Sequence, residues 1–131
     1  MTNSDNPKQL YGDKKPPLTQ FPLSAQIHAT LAFFDGVLKY GWRNWRDQPV
    51  QAQTYIEAAM RHLRLFEVGE DYTRDTKIHN LGAVIACCAI LIDSELYGTL
   101  IDNRKHNPAE ADLLHDAEAA IQALKELRGK A

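Results

Sequence analysis

The charged residues and histidines best suited to phosphate or metal chemistry lie around a short polar segment, residues 70–77. They are Glu57, Arg61, His62, Glu70, Asp71 and His79. Two antiparallel helices joined by so short a connection would bring most of these side chains to one end of a helical bundle. The pattern therefore predicts a polar site at that end.

Carboxylates are prominent in this group and indicate a hard divalent cation. Mg²⁺ takes oxygen ligands and bridges to phosphates, so Glu70 and Asp71, joined by Glu57, are the expected metal ligands. Such a metal would polarise a phosphoryl group and acidify a water molecule. His62 or His79 could act as the base, because imidazole titrates near neutral pH. Two simpler interpretations stay open: the helix dipole alone favours acidic residues near a helix N-terminus, and Glu57 could belong to an ordinary surface ion pair with the arginine four residues on.

A second group combines tryptophan and arginine in residues 41–47, GWRNWRD. Arginine can bind phosphate through two N–H groups, and an indole can stack on a base. One of the two indoles, Trp42 or Trp45, is instead expected to anchor the segment on the core. Lys15 could close over a phosphate from the N-terminal segment, or could simply be solvated.

Four helices are predicted to position these residues, and no segment alternates long enough to predict a strand. Apolar residues at spacings of three and four predict a first helix over 24–40, with Ser24 as its N-cap. Pro49 suits the first turn of a second helix that continues to about residue 68. The third, over about 76–97, is apolar nearly all round and should be central. Asn107 and Pro108 open the last.

The last predicted helix carries a narrow apolar stripe at Leu113, Ala117, Ala120, Leu124 and Leu127. A stripe of this kind can pack on the core of the same chain or on a second subunit. Both interpretations stay open at this point. Because so short a chain buries a smaller fraction of its surface than a large one, we expect a homo-oligomer.

The N-terminal part of the chain is richer in proline than the rest. Residues 1–22 hold four of the six prolines, and Pro16-Pro17 forces an extended path. We therefore predict an extended or partly disordered arm without a helix over 1–22, and a single helical domain over 23–131. The predicted fold class is all-α.

Composition excludes several partners. The 131 residues are 44% hydrophobic and 24% charged, which fits one globular domain. A formal net charge of -2 provides no overall field toward nucleic acid polymers or anionic membranes. The longest apolar run is too short to span a bilayer, the N-terminus has no signal-peptide pattern, and Cys87 and Cys88 are adjacent. We therefore expect a cytoplasmic protein with reduced cysteines.

Several short motifs, taken in order, resemble the phage-type dATP/dGTP diphosphohydrolase family over about residues 10–105. They are KKPPLTQFPLSA (14–25), KYGWRNWR (39–46), YIEAAMRHL (55–63), GED (69–71) and CCAILID (87–93), with His79 between the last two. The resemblance implies a nucleotide substrate, namely a purine deoxynucleoside triphosphate hydrolysed to monophosphate and pyrophosphate. It also implies Mg²⁺ or Mn²⁺ and an all-α fold related to the MazG-like pyrophosphohydrolases.

The residues that occupy the motif positions of this family are Lys15, Tyr40, Asn44, Trp45, Arg61, His62, Glu70, Asp71 and His79. On the enzyme hypothesis, Arg61 and Lys15 neutralise phosphate oxygens and Trp45 or Tyr40 stacks on the base. The chain also departs from the family pattern. Gly82 and Ala86 stand where many members carry His and Asn, and the ExxE and ExxD metal motifs of MazG-like enzymes are absent. The alternative is therefore a non-catalytic helical module that binds a nucleotide or a protein.

Overall fold

The structure, a computed structural model, describes residues 6–129. In that range it contains α1 (Pro7–Gly12), α2 (Leu23–Tyr40), α3 (Ala52–Glu67), α4 (Asn80–Leu96) and α5 (Pro108–Leu127), with two-residue strands β1 (Val50–Gln51) and β2 (Leu100–Ile101). Short 3₁₀ turns lie at Leu18–Gln20 and Asn44–Arg46. The predicted all-α fold class is confirmed. None of the helices in 6–129 is long and apolar enough to cross a membrane.

Helix α4 is central, as its apolar sequence predicted, because both α2 and α3 pack on it. Near the starts of α2 and α4, Gly82 lies directly against the backbone of His28. Near their ends, Val37 and Ile92 line one cavity. The two helices therefore point the same way. Helix α3 runs in the opposite direction, since His62 near its end bonds to Asn80 at the start of α4.

The ends of α2 and α3 differ in part from the predictions. Helix α2 begins one residue after Pro22 and has no side-chain cap, so the prediction of Ser24 as N-cap was wrong. Its end at Gly41 is confirmed, with φ 97° in the region that glycine tolerates best. Pro49 does not start α3 but precedes β1, which pairs in parallel with β2 through Val50 and Leu100. Strands of two residues are too short for an alternating pattern to indicate them, and the sequence analysis did not include them.

Helix α4 begins at Asn80 and not near Thr76, because the preceding segment folds back on itself. The Thr73 amide donates to the Ile78 carbonyl at 2.8 Å, and the Thr73 hydroxyl accepts from the Ile78 amide at 3.1 Å. The hydroxyls of Thr73 and Thr76 lie 2.6 Å apart. Lys77 adopts a left-handed φ of 61°. Residues 76–79 are thus committed to a turn and cannot join the helix.

The N-terminal segment contains a helix that was not predicted. Asn6 caps α1 by accepting a hydrogen bond from the Lys8 amide at 2.9 Å, and Pro7 occupies the first helical position. The prediction of an arm without a helix was therefore wrong for Pro7–Gly12. The disorder predicted for the first few residues lies outside the described range.

Helix α5 is capped by Asn107 as predicted, since the Asn107 side chain accepts from the Ala109 amide at 3.1 Å. None of its residues is buried, and its leucines stand out into solvent. In the described residues, the apolar stripe of α5 does not pack on the core of the same chain, so the first of the two interpretations is not supported.

Candidate functional site

A buried asparagine links the end of α3, the turn and the start of α4. Asn80 is fully buried. Its side-chain Nδ2 donates to the Glu70 carbonyl at 2.8 Å, and its backbone amide donates to the Asp71 carbonyl at 2.8 Å. Its Oδ1 lies 2.7 Å from His62 Nδ1. The backbone of two predicted metal ligands and the ring of a predicted catalytic histidine are therefore held by one asparagine, through its side chain and its backbone amide.

This network fixes how His62 carries its proton. Because Asn80 Nδ2 faces a carbonyl, Oδ1 is the atom that faces His62, and an amide oxygen can only accept. His62 Nδ1 must therefore be the donor. In the neutral imidazole the other nitrogen, Nε2, is then a free acceptor. A histidine with a fixed tautomer and an available lone pair is the arrangement that a general base requires.

His62 borders a groove over α4, between α2 and α3 and closed at one side by the turn before α4. We call it the polar groove. Its cavity volume is about 320 Å³, and its lining includes Tyr40, His62, Asp35, Lys39, Asp75 and Cys87. Lys39 Nζ lies 2.8 Å from Asp35 Oδ2, and this contact raises the pKa of Lys39. The lysine is therefore charged at neutral pH at the edge of the groove.

Arg61 lies close enough to the polar groove for its charge to act on Cys87. Burial raises the pKa of the Cys87 thiol, while the Arg61 guanidinium acts in the opposite direction. Burial also raises the pKa of the Tyr55 phenol, which lies near both Cys87 and Tyr40. Cys87 is therefore a neutral thiol at neutral pH and not an activated nucleophile.

The three predicted metal ligands do not meet. Within residues 6–129 there is no group of three or more His, Cys, Asp or Glu side chains that could hold a metal ion. The Glu70 carboxylate is paired with Arg74, and Glu57 accepts a hydrogen bond from Gln53 at 3.0 Å. Asp71 is exposed. The carboxylates of residues 6–129 do not fit a three-ligand magnesium centre.

His79 is the N-cap of α4 and not a member of its first turn. Its Nδ1 accepts from the Leu81 amide at 3.0 Å, so this nitrogen carries the lone pair that the cap uses. The ring packs 4.9 Å from His28 and 5.1 Å from Tyr72 between ring centroids. His79 therefore orders the start of α4, while His62 borders the groove.

The tryptophan and arginine segment is anchored at the other end of α4. Asp93 accepts hydrogen bonds from Trp45 Nε1 at 2.6 Å and from Arg46 Nε at 2.7 Å, and the Arg46 guanidinium stacks 4.0 Å from the Tyr97 ring centroid. The hydrogen bonds from Arg46 and then Trp45 lower the pKa of Asp93. Trp45 is thus the anchoring indole of the two, and Trp42 is the exposed one, at 73%.

Next to this anchor lies a second and larger depression, the apolar cavity. Its volume is about 970 Å³, and its lining includes Phe33, Val37, Trp42, Trp45, Ile92 and Leu96. Asn44 is half-buried in the turn below it. Lys15 is exposed in the turn after α1. Of the predicted catalytic and binding residues, Tyr40 and His62 line the polar groove, and Arg61 lies near its Cys87. Trp45 lines the apolar cavity instead, and Asn44 precedes it in the same turn.

The sequence analysis did not single out Asn80. Its only local signal is its place directly after a histidine at the start of an apolar helix, and full burial of an amide cannot be read from that.

Comparisons with known proteins give one match. The family model described as dATP/dGTP diphosphohydrolase, N-terminal, matches residues 5–104. No curated protein and no solved structure gave a significant match. The matched range includes α1 to α4, both strands and the whole lining of the polar groove.

Proposed function

This chain belongs to the dATP/dGTP diphosphohydrolase N-terminal family, and from that premise we propose that it hydrolyses a purine deoxynucleoside triphosphate in the polar groove. The products are the monophosphate and pyrophosphate. The observation that carries the proposal is the family match over residues 5–104, which contains the groove and the fixed His62 beside it. We place the reaction in the cytoplasm on free nucleotides, without a nucleic acid polymer or a membrane as partner.

His62 supplies the base in this proposal. Its Nε2 removes a proton from a water molecule, and the water oxygen attacks phosphorus at the phosphoanhydride between the α- and β-phosphates. That bond breaks, pyrophosphate leaves, and the proton on the imidazole returns to solvent or to the leaving group. General-base catalysis by a positioned histidine contributes about 10²–10⁴-fold in rate. Asn80 positions the ring, because its Oδ1 accepts a hydrogen bond from His62 Nδ1–H.

The phosphates need positive charge, and two cationic side chains are near. Arg61 lies on α3 near Cys87, and Lys39 lines the groove from α2, where it is paired with Asp35. In the proposal Arg61 binds phosphate oxygens through two N–H groups, and Lys15 from the arm joins it. Tyr40, on the lining of the same groove, contacts the purine. Trp45 is committed to Asp93, which leaves Tyr40 as the stacking residue.

Mg²⁺ or Mn²⁺ remains part of the proposal as a property of the substrate. Nucleoside triphosphates bind these ions through their phosphates, and the ion neutralises charge there. Glu57, Glu70 and Asp71 do not form a metal centre in the described residues, and the buried positions Gly82 and Ala86 offer no ligand atoms. The chain itself therefore supplies the base and the cationic groups.

A second candidate function is a non-catalytic module that binds the nucleotide in the same groove. The observation in its favour is the same missing carboxylate cluster within residues 6–129, together with the commitment of Glu70 to Arg74. Both candidates use Arg61 and Lys39 to bind the phosphates, and they differ only in whether a bond is broken.

The deciding experiment measures pyrophosphate release from dATP, dGTP, dCTP and dTTP with Mg²⁺ or Mn²⁺. We expect release from the purine substrates, and a loss of about 10²–10⁴-fold in His62→Gln. His115→Gln is the matched control, since His115 is exposed on α5 outside the groove, and its activity should stay within twofold of wild type. Release that survives His62→Gln removes His62 as the base.

The second candidate has its own readout. If the folded protein releases no pyrophosphate but dGTP or dATP raises its thermal midpoint in a concentration-dependent way, the chain is a binding module. If there is neither release nor a thermal shift, both proposals are wrong.

A further inference from the structure

Helix α2 turns a continuous apolar stripe toward solvent. Ile27, Leu31, Phe34 and Leu38, which share one face of the helix, are 49%, 50%, 55% and 72% exposed. The stripe adjoins the apolar cavity, where Trp42, Ile92 and Leu96 are also largely exposed. We call these seven residues the apolar face. Contiguous exposed apolar area of this extent is unusual in a monomer and marks an interaction surface.

Helix α5 presents the complementary feature. Its stripe residues Leu113, Leu124 and Leu127 are 72%, 54% and 75% exposed, and no residue of the helix is buried in the described chain. It lies beyond the range that the family model matches. A 20-residue helix is about 30 Å long and the 18-residue α2 about 27 Å, at 1.5 Å per residue. The two helices can therefore pack along their full lengths.

We propose that a second copy of this chain covers the apolar face, with α5 of each copy lying across α2 and the apolar cavity of the other. The exchange is reciprocal, so that one two-fold axis closes the assembly. The proposal does not depend on the chemistry in the polar groove.

The accessible area of the single chain favours this partner. The 14.8 kDa chain exposes 10676 Å², whereas a folded monomer of that mass exposes about 7,000 Å². The excess of roughly 3,700 Å² exceeds the roughly 800 Å² per partner that a standard interface buries. The surface that a second copy must cover is therefore available on this chain.

Charge bears on which surface of a second copy α5 can meet. Helix α5 carries five acidic residues and one lysine within Pro108–Leu127, a net charge of -4 with histidine neutral. The lining of the apolar cavity carries Arg43 and Arg46 against Asp93 and Glu95, so it has no net charge. Like-charge repulsion therefore disfavours pairing of α5 with another α5, whereas the apolar face does not repel it.

The first test is the mass of the full-length protein by light scattering over a dilution series. We expect twice 14.8 kDa for the wild type, and one chain for both Leu124→Glu and Phe34→Glu. Gln122→Glu is the matched control, because it adds the same charge to α5 on the face opposite the stripe, and it should keep the mass of the wild type. A wild type that runs as one chain overturns the proposal.

Mixing the two variants distinguishes the exchange of α5 from pairing of α5 with α5 or of α2 with α2. A Leu124→Glu chain keeps an intact apolar face and a Phe34→Glu chain keeps an intact α5, so an equimolar mixture should recover pairs that neither variant forms alone. Recovery also shows that both variants are folded. If α5 pairs with α5, Phe34→Glu stays paired by itself and the mixture gains nothing. If α2 pairs with α2, Leu124→Glu stays paired. Either result contradicts the exchange of α5.

Discussion

Replacement of Gly82 by alanine should destabilise the protein, although alanine is the better helix former. A Cβ at Gly82 would lie 2.5 Å from the His28 carbonyl oxygen and 2.7 Å from its carbonyl carbon. Both are backbone atoms and cannot rotate away. Helices α2 and α4 would have to separate by roughly 1 Å, because carbon atoms reach their best separation at about 3.5–4.0 Å.

The size of the effect follows from two opposing terms. Overpacking of this kind costs about 1–3 kcal/mol, and the gain from replacing glycine inside a helix is about 0.5–1 kcal/mol. We expect a net loss of about 1–2 kcal/mol for Gly82→Ala. Gly36→Ala is the matched control, since Gly36 lies in α2 with no atom within 4 Å of its added Cβ. It should gain about 0.5–1 kcal/mol.

Thermal or urea unfolding of the three proteins at one protein concentration measures this difference. At roughly 3–5 °C per kcal/mol for a chain of this length, Gly82→Ala should melt lower and Gly36→Ala higher than the wild type. The same substitution, glycine to alanine, should thus lower the thermal midpoint at position 82 and raise it at position 36. If Gly82→Ala is as stable as Gly36→Ala, the close approach of α2 to α4 is not a property of the folded protein.

Two further predictions concern the polar contacts at the two ends of α4. Asn80→Ala should lower the free energy of unfolding by about 2–4 kcal/mol, because it leaves the Glu70 carbonyl and His62 Nδ1 without partners at about 1–3 kcal/mol each. Urea unfolding measures this loss. A change below about 0.5 kcal/mol would contradict the hydrogen-bond network around Asn80. Asp93 has a lowered pKa in the folded state, so its bond to Arg46 stabilises the fold above the unfolded pKa of about 4 and the stabilisation is lost below it. Asp93→Asn should therefore have a lower free energy of unfolding than the wild type at pH 7, and this difference should become smaller toward pH 3. A difference that stays constant with pH would show that the carboxylate charge is not involved.

The long helices could be predicted because their signals are local. Apolar spacings, the apolar run of α4 and the Asn107-Pro108 cap placed α2 to α5 to within a few residues. The boundaries that failed depend on contacts with distant or unusual partners. Pro49 is followed by a strand because Val50 pairs with Leu100, a partner fifty residues away. Thr76 stays out of α4 because the Thr73 hydroxyl captures the Ile78 amide.

Helix α1 was missed although its signal was present. Asn6-Pro7 opens α1 in the same way as Asn107-Pro108 opens α5. Pro16-Pro17 restricts only the residues next to it and does not prevent a helix over Pro7–Gly12. The same local rule, applied at both places, predicts both helices.

The candidate site could be predicted in part. The grouping of Arg61 and His62 near the turn follows from two antiparallel helices and a short connection. The orientation of each carboxylate could not be predicted, because Glu70 pairs with Arg74 and Glu57 bonds to Gln53. These side-chain contacts cannot be inferred from the spacing along the chain.

The pairing of β1 with β2 has a consequence for how the molecule opens. The Val50 amide donates to the Thr99 carbonyl at 2.9 Å, and the Asn103 side chain accepts from the Gln53 amide at the start of α3 at 2.8 Å. These bonds join the two ends of the segment that contains α3, the turn and α4. Amide hydrogens throughout that segment should therefore exchange with solvent in one cooperative event, whereas those of α1 exchange independently and faster.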